Sequence, residues 1–250
     1  MLKILLLITL LSFLWAFFVE PNLIVIKKYK LNKFDKKIVF ISDLHISKFK
    51  KNRLKRIVKL INKQNPDLVL SSGDYIHGHS GETTLEIEKI AEELSKINAP
   101  IISVLGNHDG WFDKYRVKKA LENNGIKILM NSSTKFENIS IAGVDDLQTG
   151  IPNISSALEG TESPRILITH TPDIYDEVKE NVDLILAGHV HAGQVRIPFY
   201  GAILLPSKFG KRFEYGLLNY NGNDMIVTKG LGTSIMTMRF NCVPEIVVIE

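Results

Sequence analysis

At 250 residues, 45% hydrophobic and 23% charged, the chain has the balance of a folded protein, which excludes disorder and a collagen-like repeat. Its length suits one large α/β domain or two small ones. Cys242 stands alone, so a disulfide framework and a cysteine-rich zinc module are excluded, and any metal is held mainly by His, Asp, Glu or Asn. The net charge of +4 is uneven: residues 27–63 carry 14 Lys and Arg against Asp35 and Asp43, and the rest of the chain sums to −8. That is a basic collar near the amino end. It is not the chain-wide positive field of a nucleic-acid binder, and no nucleic-acid partner is expected.

In chain order, the first element is an apolar run, Ile4 to Val19, interrupted only by Thr9 and Ser12. As a helix, its 16 residues span roughly 24 Å, short of a bilayer core of about 30 Å. A cleaved signal peptide needs small residues at a cleavage site, but the run closes on Leu14-Trp15-Ala16-Phe17-Phe18-Val19, which suits an aromatic anchor at the interface. The expected organisation is therefore a transmembrane signal anchor over 1–21 and a folded domain over 22–250. Lys27, Lys28, Lys30, Lys33, Lys36 and Lys37 follow the run, so the positive-inside rule puts the domain on the cytoplasmic face of the inner membrane. These lysines could dock on anionic lipid or form a merely solvated face; both alternatives stay open. The absence of a twin-arginine signal argues against export of a folded domain.

Strands are expected at 23–29 and 38–41, then a basic helix with Leu54, Ile57, Val58 and Ile61 on one face. A strand at 67–71, a helix over 83–97, a strand at 101–105 and a helix over 113–123 follow, the last closed by Asn124-Gly125. Beyond it the pattern turns to short strands at 126–130, 139–144, 165–169, 183–187, 194–198, 213–219, 224–228 and 245–249, with small helices near 155–159 and 173–179. A βαβαβ half followed by a β-rich half suggests two packed sheets with helices outside.

The seven histidines, at 45, 77, 79, 108, 170, 189 and 191, avoid the first 44 and last 59 residues. Five directly follow an apolar strand or sit in a Gly-rich turn at its end, and His77 and His79 come just after Gly73-Asp74. Open α/β sheets put ligand sites at the carboxyl ends of their strands, so Asp43 with His45, Asp74, Asn107 with His108, His170, and His189 with His191 could converge on one crevice. Asp43/His45 and His189/His191 have the i, i+2 spacing that points two extended-chain side chains the same way. Imidazole and carboxylate donors without thiolate suit Mn, Fe, Zn or Ni, and one carboxylate, most simply Asp74, could bridge two ions.

The blocks Asp43-Leu44-His45, Gly73-Asp74, Gly106-Asn107-His108-Asp109, His170 and Gly188-His189-Val190-His191 resemble, in order, the five signature blocks of the calcineurin-like metallophosphoesterases. The segments Ala192-Gly193-Gln194, Lys229 to Ser234, Arg239-Phe240-Asn241 and Pro244-Glu245-Ile246 resemble its membrane-anchored bacterial branch, several members of which are UDP-diacylglucosamine pyrophosphohydrolases of lipid A synthesis. The resemblance covers residues 38–250 and implies a four-layer αββα sandwich, an α/β (α+β) fold of two mixed sheets flanked by helices. It also implies two divalent ions, manganese foremost. One would be held by Asp43, His45, Asp74 and His191, the other by Asp74, Asn107, His170 and His189. The departure from that branch is His77, where an acidic residue is usual.

For such a site the expected reaction is hydrolysis of a phosphodiester or pyrophosphate by hydroxide formed on the metals, which also neutralise the phosphoryl oxygens. His108 would protonate the leaving oxygen and Asp109 would orient its ring. The expected substrate is a lipid nucleotide such as UDP-diacylglucosamine, the alternative a soluble nucleotide or other phosphodiester. Two non-enzymatic alternatives are a scaffold that lost its chemistry, against which every ligand position and His108 are intact, and a membrane-surface binding module with structural metals. His77, His79 and Arg196 receive no role, and the oligomeric state is left open.

Overall fold

The computed structural model describes residues 1–78, 82–220, 222–234 and 236–250, so His79 lies outside the described residues. Helix α1 spans Leu2–Leu14 and continues through one wider turn, Trp15–Val19, and one tighter turn, Glu20–Asn22. The helical segment is thus 21 residues, Leu2–Asn22, with mean hydropathy 2.4. At 1.5 Å per residue it reaches about 31 Å, but its last residues, Glu20-Pro21-Asn22, are not apolar, so the apolar span stays short of a bilayer core of about 30 Å. Its far end docks on the domain. Ala16, Glu20 and Pro21 are buried, the Ala16 carbonyl accepts from Arg239 N (2.9 Å), and the Glu20 carboxylate accepts from Trp15 Nε1 (2.7 Å), Asn241 N (3.1 Å) and Cys242 N.

After it come β1 (Val25–Tyr29), β2 (Ile38–Ile41), α2 (Lys51–Asn62), β3 (Leu68–Ser71), α3 (Ile87–Leu94), β4 (Ile101–Ser103), α4 (Asn107–Glu122), β5 (Lys127–Ile128), β6 (Ser132–Phe136), β7 (Ile139–Gly143) and α5 (Ile154–Leu158). The chain finishes with β8 (Arg165–Ile168), β9 (Leu184–Ala187), the short pair β10 (Arg196–Ile197) and β11 (Gly201–Ala202), β12 (Gly216–Tyr220), β13 (Asn223–Val227) and β14 (Glu245–Ile249). One six-stranded sheet runs β1-β14-β2-β3-β4-β5 and the other β12-β13-β9-β8-β7-β6. Both are mixed, with β2, β3 and β4 parallel to one another in the first and β8 and β9 parallel in the second.

Side-chain alternation along the strands builds the layers. In β2, Ile38 and Phe40 join Leu68, Leu70, Ile166, Leu184 and Leu186 between the sheets, while Val39 and Ile41 face the helices with Leu54, Ile57, Ile90 and Leu121. The outer face of the second sheet is covered by Ala157 and Leu158 of α5 and by Ile174 and Tyr175 of a tight helical turn, Pro172–Glu177. The order helix, sheet, sheet, helix is the expected four-layer sandwich.

Several boundaries differ from expectation. The helix expected over 113–123 begins at Asn107, with one extended residue, Asp113 (φ −176°, ψ 93°), kinking it. β6 reads Ser-Ser-Thr-Lys-Phe and lacks an apolar face; it is the edge strand of its sheet, half of it wet, so periodicity could not reveal it. The helix expected over 83–97 contracts to α3, and the strands at 126–130 and 194–198 contract to two residues each. Of the six lysines at 27–37 that follow the apolar run, Lys28 pairs with Glu250, Lys33 with Asp224 and Lys36 with Glu137, so three of the six meet acidic groups of the domain itself.

Candidate metal centre

Parallel neighbours end on the same edge, and this is what gathers the site. β2 delivers Asp43 and His45, β3 delivers Asp74, and β4 passes through Gly106 into the first turn of α4 with Asn107 and His108. From the opposing sheet, β8 leads to His170 and β9 to His189 and His191. The turns are sharp. Asp43, His45, Asp74, His189 and His191 all adopt left-handed backbone, with φ between 40° and 68°. Each such residue costs of order 1–3 kcal/mol, and they persist because the flanking strands hold them. Gly106 is needed for space, since a Cβ there would overlap Asp74 Oδ1 and come within 2.7 Å of His170 Cε1.

All seven candidate ligands are buried and together. In one group, His45 Nε2 lies 3.2 Å from His191 Nε2 and 3.5 Å from Asp74 Oδ2, and His191 Nε2 lies 3.4 Å from Asp43 Oδ1. In the other, His170 Nε2 lies 2.8 Å from Asn107 Oδ1 and 3.3 Å from Asp74 Oδ2, and His189 Nδ1 lies 3.0 Å from Asn107 Oδ1 and 3.2 Å from His170 Nε2. Asp74 Oδ2 is common to both groups. His108 also falls within reach of His45 and Asp74 as a third possible ligand combination.

The donor chemistry fits divalent cations. His45 Nδ1 sits 2.8 Å from the Ile76 carbonyl and His170 Nδ1 2.8 Å from the Ser72 carbonyl, contacts that require N–H on those atoms and leave Nε2 as the lone-pair donor facing inward. Burial lowers His45 to about 3 and His189 to about 4, the latter with help from His170, and it takes His191 well below its usual range, assisted by His45 and Arg239. These imidazoles are neutral and ready to ligate at pH 7. Burial, with the charge of Asp74, pushes Asp43 up to about 6 and Asp109 to about 7. Burial alone would raise Asp74, but His170 beside it overrides this and holds the carboxyl well below the usual range. His170 is pushed up in turn, against its own burial. His170 Nε2 is thus held beside the Asp74 carboxylate, at a position a cation would take over.

Two expectations change at the surrounding residues. Asp109 does not orient the His108 ring. Its Oδ1 accepts Tyr75 N (2.9 Å) and Ile76 N (3.2 Å), and its Oδ2 accepts Asp74 N (2.8 Å) and Gly106 N (3.0 Å), so it pins the β3 loop to the start of α4. His108 is oriented instead by the Gly78 carbonyl, 2.9 Å from Nδ1, and Ser234 Oγ lies 3.4 Å from its Nε2. Sequence reasoning also passed over Gln148, whose Nε2 is 3.2 Å from His189 Nε2, and gave no role to the fully buried Arg239. The Arg239 guanidinium donates to the carbonyls of Lys229 (2.8 Å) and Gly232 (2.6 Å) and touches His191 Nδ1 at 3.3 Å. Arg196 is tied to Glu214 and stacks over Tyr215, and His77 is half-buried.

The sequence matches the calcineurin-like phosphoesterase family over residues 36–193. It is 32% identical over 253 residues to the uncharacterized metallophosphoesterase YkuE of Bacillus subtilis (strain 168), covering 94% of this chain and 87% of that protein. It is 31% identical over 233 residues to the phosphodiesterase YaeI of Escherichia coli (strain K12), covering 89% and 84% respectively. A transmembrane protein with metallophosphoesterase domain from Danio rerio is 29% identical over 238 residues, 84% of this chain and 52% of that protein.

Proposed function

The chain belongs to the calcineurin-like phosphoesterase family and is a metal-dependent phosphoric ester hydrolase, and from that premise we propose a membrane-anchored, dinuclear enzyme that cleaves the pyrophosphate bond of a lipid-linked nucleotide such as UDP-diacylglucosamine. The observation that carries it is Asp74 Oδ2, 3.5 Å from His45 Nε2 and 3.3 Å from His170 Nε2, shared by two donor groups. Asp43, His45, Asp74 and His191 would hold one ion, and Asp74, Asn107, His170 and His189 the other, with manganese the first candidate. When bound, such a pair neutralises phosphoryl oxygens and brings the pKa of water down toward about 7.

The protein's own groups do the rest. Asp74 Oδ1 accepts the backbone N–H of His108 (2.9 Å), so the carboxylate is locked in orientation with Oδ2 turned inward. The Gly78 carbonyl keeps the proton on His108 Nδ1, so Nε2 is the atom that can take a proton, with Ser234 Oγ beside it, and pass it to a leaving oxygen. Gln148 lies against the outer edge of His189, and Arg239 brings fixed positive charge against His191.

Membrane attachment is supported by the 21-residue apolar helix, whose docked end reaches Arg239 and hence the neighbourhood of His191. The β10–β11 hairpin, which shares the bridge Val195–Phe240 next to that dock, exposes Phe199, Tyr200, Ile203 and Leu204, an apolar edge suited to the lipid interface. The lysines after the helix support a cytoplasmic domain. A second reading, hydrolysis of a soluble phosphodiester, is favoured by the similarity to the E. coli phosphodiesterase YaeI. Detergent-solubilised protein assayed with manganese on UDP-diacylglucosamine and on bis(4-nitrophenyl) phosphate separates them: turnover of the diester with none of the lipid nucleotide refutes the lipid substrate.

A further inference from the structure

Beside the metal centre lies a small cleft of about 40 Å³, walled by Pro21, His45, Lys50, Arg53, His77 and Thr233 among others. Among the described residues no Asp or Glu lines it, and neither Lys50 nor Arg53 takes part in an ion pair. Arg53 is largely buried and gives Nη2 to the Leu231 carbonyl. Burial together with Arg239 and Arg56 lowers its pKa to about 10, and burial with Arg53 lowers Lys50, the mark of positive charge left without a counter-ion. His77 Nδ1 is a buried atom with no hydrogen-bond partner among the described residues.

Helix α2 opens on the same wall. Its N-cap is Lys50, no side chain caps it, and its first turn, Lys51-Asn52-Arg53, holds no acid. A helix N-terminus carries partial positive charge and unsatisfied N–H groups, which favour acidic residues. Cations there are the unfavourable choice unless an anion sits among them, and helix N-termini with basic side chains are anion sites.

We propose that this cleft is a second-phosphate subsite, taking the non-scissile phosphate of a pyrophosphate while the scissile one lies at the Asp74 cluster across the shared wall of His45. The inference rests on that cluster being the reaction centre. Lys50 and Arg53 supply the charge, His77 Nδ1 a polar contact, and the α2 amides further donors. Pro21, at the end of the apolar helix, forms the wall nearest the membrane, so the phosphate of a lipid-linked substrate and that of a soluble nucleotide share the chemistry but differ in route of arrival.

The test uses full-length, detergent-solubilised, manganese-loaded protein with three substrates: bis(4-nitrophenyl) phosphate, with one phosphorus; UDP-glucose, a soluble pyrophosphate; and UDP-diacylglucosamine in mixed micelles. Lys50→Gln and Arg53→Gln are compared with wild type after melting curves establish folding. Lys50, half-exposed, is the variant least able to disturb the fold. Each should reduce kcat/KM on the pyrophosphates at least tenfold more than on the diester, chiefly through KM, and Arg53→Lys should recover part of the loss. Selective loss on both pyrophosphates supports the subsite with the nucleotide as source; selective loss on the lipid substrate alone supports it with a membrane-borne source. Equal losses on all three substrates overturn it, as does a wild type that hydrolyses only the diester. A wild type active on UDP-glucose but not on the lipid retires the lipid substrate while the subsite stands or falls on the soluble arm.

Discussion

Asp109→Asn tests whether the carboxylate beside His108 acts on the ring or on the backbone. The side chain is fully buried, and each of its oxygens accepts two amide protons: Tyr75 and Ile76 on Oδ1, Asp74 and Gly106 on Oδ2. An asparagine keeps one accepting oxygen and turns an NH₂ toward the other pair, so two buried amides lose their partner. Each unsatisfied buried group costs about 1–3 kcal/mol, giving a destabilisation of about 2–6 kcal/mol. For a chain of this size each kcal/mol lowers Tm by about 2–4 °C, so a fall of about 4–24 °C is expected.

Three of the four amides belong to Asp74, Tyr75 and Ile76, and Ile76 also supplies the carbonyl that fixes His45. Metal content should therefore fall together with stability. The assays are thermal unfolding of the solubilised protein and metal analysis after gel filtration, run beside His108→Ala. The reasoning is refuted if Asp109→Asn unfolds at the wild-type temperature with full metal content and shows only the rate loss of His108→Ala. That pattern would return the carboxylate to ring orientation.

Three further outcomes follow from the same geometry. Asp74→Asn removes the charge shared by both donor groups and should strip both ions on gel filtration; one full equivalent retained by metal analysis would mean the groups are independent. Gly106→Ala, though not at a ligand, forces Asp74 and His170 apart. Overpacking of this kind costs about 1–3 kcal/mol, and the protein should remain folded with depleted metal and activity, which circular dichroism and metal analysis would check. Deleting residues 2–14 leaves the docked segment with Ala16 and Glu20 in place and should move the protein to the soluble fraction on ultracentrifugation; continued sedimentation with lipid would transfer the anchoring role to the exposed hairpin at Phe199.

What could be read before the fold was known divides along a physical line. Buried parallel strands announce themselves as apolar runs, so β2, β3, β8 and β9 and the residues at their ends were legible, and with them the convergence of Asp43, His45, Asp74, Asn107, His170, His189 and His191. Contacts made by backbone atoms were not. Nothing in the order Asn107-His108-Asp109 tells that the aspartate turns back onto amides of residues 74–76 while the histidine ring turns to Gly78, because both depend on a loop from another strand passing within hydrogen-bond distance. Gln148 and the role of Arg239 were hidden for the same reason: one lies in a loop after β7, and the other, though part of a segment that resembles the family, lies in a coil before β14 whose contact with His191 no local pattern shows.

The left-handed residues connect these two levels. Five of the seven converging residues sit at positive φ, where Asp, Asn and His are tolerated better than most L residues and bulky apolar ones are strained. A strand that must stop abruptly and turn its next side chains toward a common centre uses this conformation, and the neighbouring chain makes the turn persist. His45 N bonds the Asp74 carbonyl (3.0 Å), Asp43 N bonds that of Gly73 (2.9 Å), and Gly188 N bonds that of His170 (2.9 Å). The ligand-bearing turns therefore hold one another in place through their own backbone bonds. A divalent cation entering such a centre need not assemble its donors. It relieves repulsion among groups already gathered, which is why substitutions at the supporting amides and at Gly106 should cost metal as surely as substitutions of the ligands themselves.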